Sequence, residues 1–299
     1  MKRSLALLLG VTTLLAACAP GLGGSPGADD VSDGIEHPTG DDLVFSVESQ
    51  GGFVPVEFVA TALPSFTLLG DGRVIVPGAM TLIYPGPALP PLQVRTLTEE
   101  GVQEVLAAIV ETELFDADLE LRGAQTIVAD AADTVFTLHA GGREVKVTVY
   151  GLGTLDPSTP MEGISAAEAQ AHRTLSRMND QLTILEEWLP EDAFTDDAWK
   201  PYEPEAFRLY VSNAEGVAPD PNLPPEPPRP WPGDSDPETF GEPYPLLNGR
   251  CGVVEGDEAA AWLEALSQAN QLTRWSSGDD VYTVLPRALL PHEERACPA

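Results

Sequence analysis

A proline-rich stretch in the last third of the chain places the strongest constraint on its fold. Of the 29 prolines, 11 lie between Val217 and Pro245, where Trp231, Phe240 and Tyr244 also occur. Proline lacks a backbone N–H and fixes φ, so this stretch forms neither a regular helix nor a central strand. We predict a polyproline-type coil that wraps a domain with its three aromatic residues as anchors. A free linker is the alternative.

The residues before this stretch carry the signals of antiparallel hairpins. Phe66–Leu69 and Arg73–Val76 flank Gly70-Asp71-Gly72, and Asp-Gly suits the positive φ angles of a tight turn. A second hairpin is predicted from Thr134 to Tyr150, where apolar and polar residues alternate on the return strand. Further strands are predicted at residues 43–48, 54–60 and 80–84.

Two amphipathic helices are predicted to pack on these hairpins. Thr98 is a good N-cap, and an apolar stripe follows it at helical spacing as far as Phe115. Ser165 and Glu168 form a capping-box pattern before a longer stripe that Pro190 ends. The pattern then changes, because residues 191–205 are acidic and have no clear period.

The last third of the chain repeats the strand–helix–strand order on a smaller scale. Strands are predicted at residues 207–211, 251–254 and 281–290, with a helix at residues 257–270. We therefore predict an α+β fold of antiparallel hairpins packed with helices and a second, smaller α+β unit. The predicted boundaries are a first domain at 42–190, a linker at 191–205 and a second domain at 206–299, which includes the proline-rich segment 217–245.

The chain is strongly acidic over its whole length. Its formal charge is −31, and residues 41–190 carry 22 acids against 7 bases while residues 191–299 carry 21 against 7. The charge is thus a property of the whole surface. Such a surface repels nucleic acids and anionic lipid headgroups, so we exclude a nucleic-acid partner.

The first residues have the pattern of a secretory signal peptide. Met1-Lys2-Arg3 is positively charged, and Ser4–Ala17 is apolar or small but too short to span a bilayer comfortably. Leu15-Ala16-Ala17-Cys18 resembles the lipobox of bacterial lipoproteins. That resemblance implies that residues 1–17 are removed and that Cys18 carries fatty acyl chains such as palmitate. An ordinary signal peptide beside an unrelated cysteine is the alternative.

Three further segments resemble uncharacterised secreted lipoproteins of actinobacteria. They are Phe66–Val76, Glu144–Gly153 and Arg287-Ala288-Leu289-Leu290-Pro291. The resemblance implies no activity. Together with the lipobox it implies a protein anchored in the cell membrane on its extracytoplasmic face. Residues 18–41, rich in Gly, Pro, Asp and Ser, are predicted to be a flexible tether.

The two remaining cysteines are an even pair. With Cys18 lipidated in an oxidising compartment, Cys251 and Cys297 are predicted to form a disulfide. Two unpaired thiols are the alternative.

Motifs that would carry chemistry are scarce. Gly23-Gly24-Ser25-Pro26-Gly27 matches the hydrolase pattern G-x-S-x-G, but it lies in the predicted tether and not between a strand and a helix. Gly151-Leu152-Gly153 follows a strand, yet Asp156 stands where a dinucleotide fingerprint has its third glycine. We interpret both as loops and predict no cofactor.

The titratable residues give no recognisable catalytic or metal-binding set. No two of His37, His139, His172 and His292 have metal-ligand spacing, and His172 is predicted on a solvated helix face. Asp234, Asp236 and Glu238 alternate like calcium ligands, but Thr239 stands where an EF-hand loop has glycine. A solvated acidic loop is therefore favoured over a calcium site.

We expect a non-enzymatic binding or interaction module, held at the membrane by its lipid and facing a protein or cell-wall partner. The alternative is a secreted hydrolase that uses carboxylates on an envelope or extracellular polymer. A cleft lined by two or more close acids would favour the hydrolase. A flat or convex face with exposed aromatic residues would favour the binding module.

Overall fold

The computed structural model describes residues 34–154, 163–216, 221–224 and 226–298. The predicted signal peptide, Cys18 and residues 19–33 of the predicted tether lie outside the described residues. The chain from Gly34 onward forms one compact unit. This unit contains both helices and largely antiparallel sheets, so the predicted α+β class is confirmed.

The first sheet has eight strands among the described residues, in the order β5-β7-β6-β1-β2-β3-β4-β8. The strands are β1 (Leu43–Gln50), β2 (Phe66–Leu69), β3 (Arg73–Pro77), β4 (Leu92–Thr96), β5 (Leu119–Leu121), β6 (Asp133–Ala140), β7 (Arg143–Tyr150) and β8 (Lys200–Pro201). All neighbours are antiparallel except β5 and β7. Both predicted hairpins are confirmed as β2–β3 and β6–β7. Strand β8 lies within the predicted linker and pairs with β4.

The helices are α1 (Val56–Thr61), α2 (Glu99–Val110), α3 (Ala166–Leu182), α4 (Leu185–Trp188) and α5 (Gly256–Ser267). The predicted N-caps are confirmed, because the side chain of Thr98 accepts from Gly101 N and that of Ser165 accepts from Glu168 N. The Glu168 carboxylate accepts from Gly123 N and so ties α3 to a 3₁₀ turn. Glu168 is the acidic residue of the predicted capping box.

Helix α3 ends before Pro190, the predicted stop. Its last carbonyls are satisfied by side chains that follow it. The Thr183 hydroxyl donates to Asp180 O at 2.7 Å, and the Trp188 indole donates to Gln181 O at 2.9 Å. The predicted single helix is therefore divided into α3 and α4. Helix α2 likewise ends at Val110, before the predicted Phe115.

The second sheet has six strands among the described residues, in the order β10-β13-β14-β9-β12-β11. They are β9 (Ala206–Asn213), β10 (Arg229–Pro230), β11 (Glu242–Tyr244), β12 (Gly249–Glu255), β13 (Arg274–Ser277) and β14 (Asp280–Ala288). The predicted strands near residues 207, 251 and 281 and the helix between them are confirmed as β9, β12, β14 and α5.

The proline-rich segment is held on this second sheet by its aromatic residues. Phe240 is buried, Trp231 lies edge-on to Trp262 with ring centroids 4.8 Å apart, and Tyr244 lies 5.1 Å from Tyr210. The anchoring predicted for the three aromatic residues is confirmed. Residues 217–220 and 225 lie outside the described part of the segment.

Two strand predictions are wrong. Most of residues 54–60 lie in the short helix α1 (Val56–Thr61), which contains no buried residue. Pro55 is its N-cap residue, where the missing backbone N–H of proline removes no intrahelical hydrogen bond. Residues 80–84 form no regular structure and are exposed. Both stretches are apolar enough to resemble strands, but neither pairs with a neighbouring strand.

Two hydrophobic cores fill the unit. The first lies between the first sheet and helices α2 and α3. The second lies on the second sheet around Trp262 and Trp275, and it also contains Leu69, Ile75 and Leu92 of the first sheet. Strands β2, β3 and β4 therefore contribute side chains to the core of the second sheet.

Candidate interaction surface

The loop between β3 and β4 presents apolar side chains to solvent on a fixed base. At the base, Ala88 N donates to Ala269 O at 3.1 Å, and Gln271 N donates to Gly86 O at 3.0 Å. Farther out, Leu82 is fully exposed, and a majority of each neighbouring large side chain is exposed. We call Met80, Leu82, Ile83 and Tyr84 the apolar loop. Burying one such side chain is worth roughly 1.5–3 kcal/mol, so their joint exposure is costly without a partner.

A second group of exposed apolar residues lies on and before α1. These residues, which we call the apolar helix segment, are Phe53, Val54, Val56, Phe58 and Val59. Phe53 is 88% exposed and Phe58 is 68% exposed. The backbone on either side is fixed, because Phe53 N donates to Asp130 O at 3.0 Å and Arg287 Nε donates to Ala62 O at 2.9 Å.

Both apolar segments leave the same end of the first sheet. The apolar helix segment connects the end of β1 to the start of β2, and the apolar loop connects the end of β3 to the start of β4. Residues 34–42 lie at the opposite end, where Gly70 N donates to Asp42 O and Gly141 N donates to Glu36 O. Strand β1, eight residues long, separates the two ends by roughly 25 Å.

The start of the described chain is packed. Ile35 N donates to the side chain of Gln103 at 2.7 Å, and Ile35 lies against the first core. His37 Nδ1 lies 2.7 Å from Pro38 O and its Nε2 lies 3.2 Å from the Glu99 carboxylate. Residues 34–41 of the predicted tether thus contact the folded unit, and His37 belongs to this packed part of the chain.

One polar pocket of about 400 Å³ brings His37 and His139 near acids. Its lining includes Glu36 and Glu144. Lys146 Nζ lies 2.8 Å from the Glu144 carboxylate, and this hydrogen bond is the main cause that lowers the pKa of Glu144. A carboxyl group that acts as a general acid needs a raised pKa. Glu144 is therefore not suited to donate a proton at neutral pH.

A second polar pocket, of about 480 Å³, lies where the proline-rich segment meets the second sheet. Its lining includes Asn213, Glu238, Asn248 and Tyr282. Arg250 also reaches it, but its guanidinium donates to Phe240 O and Gly241 O at 2.7 Å each and so fixes the segment. Glu238 is the one acid among the described residues that line this pocket, so they do not supply the pair of carboxylates that glycoside hydrolysis requires.

The acidic loop near Asp236 makes local turn contacts. Asp236 Oδ1 accepts from Glu238 N at 3.0 Å, and the Ser235 hydroxyl donates to Glu258 at 3.1 Å. Within the described residues, no group of three or more His, Cys, Asp or Glu side chains is arranged to hold a metal ion. Gly151 and Gly153 lie in a turn after β7. The pattern around Ser25 lies outside the described residues.

The prediction for His172 is wrong, because its side chain is buried. It lies one helical turn before the buried Leu175, so the helical spacing of α3 already placed it on the core face. Neither ring nitrogen makes a hydrogen bond of ordinary geometry among the described residues. Burial is the main cause that lowers the pKa of His172, while the nearby Tyr150 backbone favours the protonated form. Burial likewise lowers the pKa of His292.

We expect His172 to make folding stability fall as the pH falls below about 6.5, its ordinary pKa. The unfolded chain takes up a proton there and the folded chain does not, so the expected contribution is a loss of about 1.4 kcal/mol per pH unit. Chemical denaturation at pH 8 and pH 5.5 should show a smaller difference for His172→Phe than for the parent protein. Leu175→Ala, on the same helix face, is the control and should lose similar stability at both pH values. An unchanged pH slope in His172→Phe would contradict the prediction.

Cys251 and Cys297 lie at disulfide distance, with Cα atoms 6.0 Å apart. Cys251 is buried in β12. Cys297 lies two residues after Arg295, which forms an ion pair with Glu255 at the end of β12. The pair joins β12 to the last residues of the chain.

Comparison with known proteins supplies no family. No family model, no curated protein and no solved structure matches the chain. No helix in the described part of the chain is both long enough and apolar enough to cross a membrane. The geometry of the surface is thus the basis for a functional proposal.

Proposed function

We propose that this protein is a lipid-anchored, extracytoplasmic binding module. The observation that carries the binding role is the pair of apolar segments, which present large side chains to water from backbone that is hydrogen-bonded on both sides. Large exposed apolar patches mark interaction sites in folded proteins. A fixed backbone reduces the entropy lost on binding. The predicted leader supports export and display outside the membrane.

The hydrolase alternative has less support. A carboxylate mechanism needs one carboxyl group with a raised pKa beside a second that stays ionised. Where the pKa of a glutamate departs clearly from its ordinary value among the described residues, as for Glu99, Glu144 and Glu293, it is lowered. In the pocket that Glu36 and Glu144 line, the pKa of Glu144 is lowered, and the acid among the described residues that line the other pocket is Glu238. The exposed aromatic side chains of Phe53, Phe58 and Tyr84 instead support a binding module.

We expect Cys18→Ser to release the protein from the membrane. Stable anchoring needs at least two acyl chains, because one binds only marginally, and Cys18 is the residue that would carry them. The parent protein should partition into the detergent phase, and mass spectrometry should find an acylated Cys18 as its first residue. The variant should appear unacylated in the medium.

Ser25→Ala, seven residues farther along, is the matched control and should stay membrane-bound. If Cys18→Ser remains in the membrane fraction and the parent protein carries no acyl group, the anchoring proposal is wrong.

A further inference from the structure

The surface charge restricts what can cover the two apolar segments. Without Lys2 and Arg3 of the leader the net charge of the chain is −33. Glu57 lies within the apolar helix segment and is exposed, as is Asp130 beside it. A second copy of the chain would bring a like charge to the same surface. An anionic bilayer would be repelled for the same reason.

The apolar loop lies in a stretch of the chain that carries no charge. No charged residue occurs between Arg73 and Arg95, although 21% of all residues are charged. The aliphatic side chains of Leu82 and Ile83 are exposed, and they need an apolar pocket to leave water. A hydrated polysaccharide offers no such pocket. The negative charge around the two segments favours a partner whose apolar pocket has a positively charged rim.

We infer that the two apolar segments dock together into an apolar pocket with a basic rim on a protein partner. The inference deepens the proposed binding function and rests on it. The segments leave the end of the first sheet opposite to Gly34, the residue that connects the unit to the preceding chain and to Cys18. The partner would therefore approach the end of the sheet away from the anchor connection.

Photo-crosslinking with the full-length, lipidated protein in its native membrane tests this inference. The photoreactive residue p-benzoylphenylalanine is placed at position 58 or 82, and at Val110 as the control. Val110 is also an exposed apolar residue, but it lies at the end of α2, outside both segments. Positions 58 and 82 should crosslink to the same protein, and position 110 should not.

The crosslinked peptide identifies the chemistry of the partner. Its sequence should combine apolar residues with nearby Lys or Arg, and the crosslink yield should fall at high salt because exposed charges are screened. Leu82→Asp should lower the yield from position 58 roughly tenfold, since removal of one buried apolar anchor changes an affinity by about that factor. Val110→Asp should leave the yield unchanged.

Several outcomes would overturn the inference. One is a crosslinked dimer of this chain, which would identify a second copy as the occupant. Another is quenching of a fluorophore at position 82 by spin-labelled lipid in phosphatidylglycerol vesicles, which would identify the bilayer. Crosslinking no stronger than at position 110 would also overturn it. A partner whose contact peptide lacks Lys and Arg would overturn the basic rim but leave the proposed binding function intact.

Discussion

Replacement of both Cys251 and Cys297 by Ser should lower the free energy of unfolding by about 4 kcal/mol. The chain-entropy model gives this value for a disulfide that closes a loop of this length, and the two cysteines are separated by 46 residues in sequence. In a chain of this size, such a loss should lower the Tm by about 10 °C. Differential scanning calorimetry of the variant and of the parent protein measures it.

The parent protein treated with a reductant is the matched control for the double variant. Both lack the cross-link in the unfolded chain, so their transitions should coincide. Because Leu69, Ile75 and Leu92 of the first sheet lie in the second core, we expect some of the loss to reach the first sheet. The largest gain in hydrogen exchange should still fall on residues 289–298. Free thiols in the exported protein, or a Tm unchanged by reduction, would contradict the assignment.

The terminal segment is also held by contacts other than the disulfide. Arg208 Nε donates to Ala296 O at 2.8 Å, and Arg295 pairs with Glu255 at 3.3 Å. Leu289 and Leu290 are buried. These contacts are part of the native state alone, whereas the disulfide restricts the unfolded chain as well. The double variant should therefore fold to the same native structure, with lower stability.

The elements that the sequence predicted correctly are those with local signals. Gly70-Asp71-Gly72 specifies a turn by its backbone requirements, and Thr98 and Ser165 specify helix starts by side-chain hydrogen bonds. Alternation in β7 specified the buried Val145, Val147 and Val149. Each signal acts between residues close in sequence, so it needs no knowledge of the rest of the fold.

The elements that were missed depend on distant partners. The short strands β8 and β10 exist because β4 and β13 offer free edges, which no local pattern reveals. The apolar side chains of residues 54–60 and 80–84 predict strands, because such side chains usually mark burial. Here they are exposed, and the rule fails at the surface that we propose as functional. Such conflicts between local pattern and fold are expected at functional sites.

The sequence therefore indicates the type of surface to expect, but not its position. A flat or convex face with exposed aromatic residues is the feature that would favour a binding module over a hydrolase, but the sequence does not locate such a face. The lack of charge between Arg73 and Arg95 is a usable signal, because a 21-residue neutral stretch is unusual in the acidic chain that follows the predicted leader. Ala88 and Leu89 pack on the second core and so fix the base of the loop. This packing could not be predicted from the sequence.

Glu293→Gln should lower the free energy of unfolding by about 3–5 kcal/mol, the usual cost of removing one partner of a buried ion pair. The Glu293 carboxylate accepts two hydrogen bonds from Arg287, at 2.6 and 3.0 Å, and a third from Leu290 N at 2.7 Å. Burial alone would raise the pKa of Glu293, but the hydrogen bonds from Arg287 outweigh it and the pKa is lowered. The pair therefore stabilises the fold above about pH 4.5, the ordinary pKa of the group, and that stabilisation is lost as the pH falls below it.

The substitution leaves a guanidinium buried without its counter-charge, since only 10% of the Arg287 side chain is exposed. Glu294→Gln, at the exposed neighbouring residue, is the control and should change the stability by less than about 0.5 kcal/mol. The double variant Arg287→Met/Glu293→Leu should recover part of the loss, because it removes both buried charges. It also removes the hydrogen bond to Ala62 O, which fixes the end of α1, so hydrogen exchange should increase in the apolar helix segment. Equal stability of Glu293→Gln and Glu294→Gln in urea denaturation would show that the ion pair does not hold the C-terminal segment.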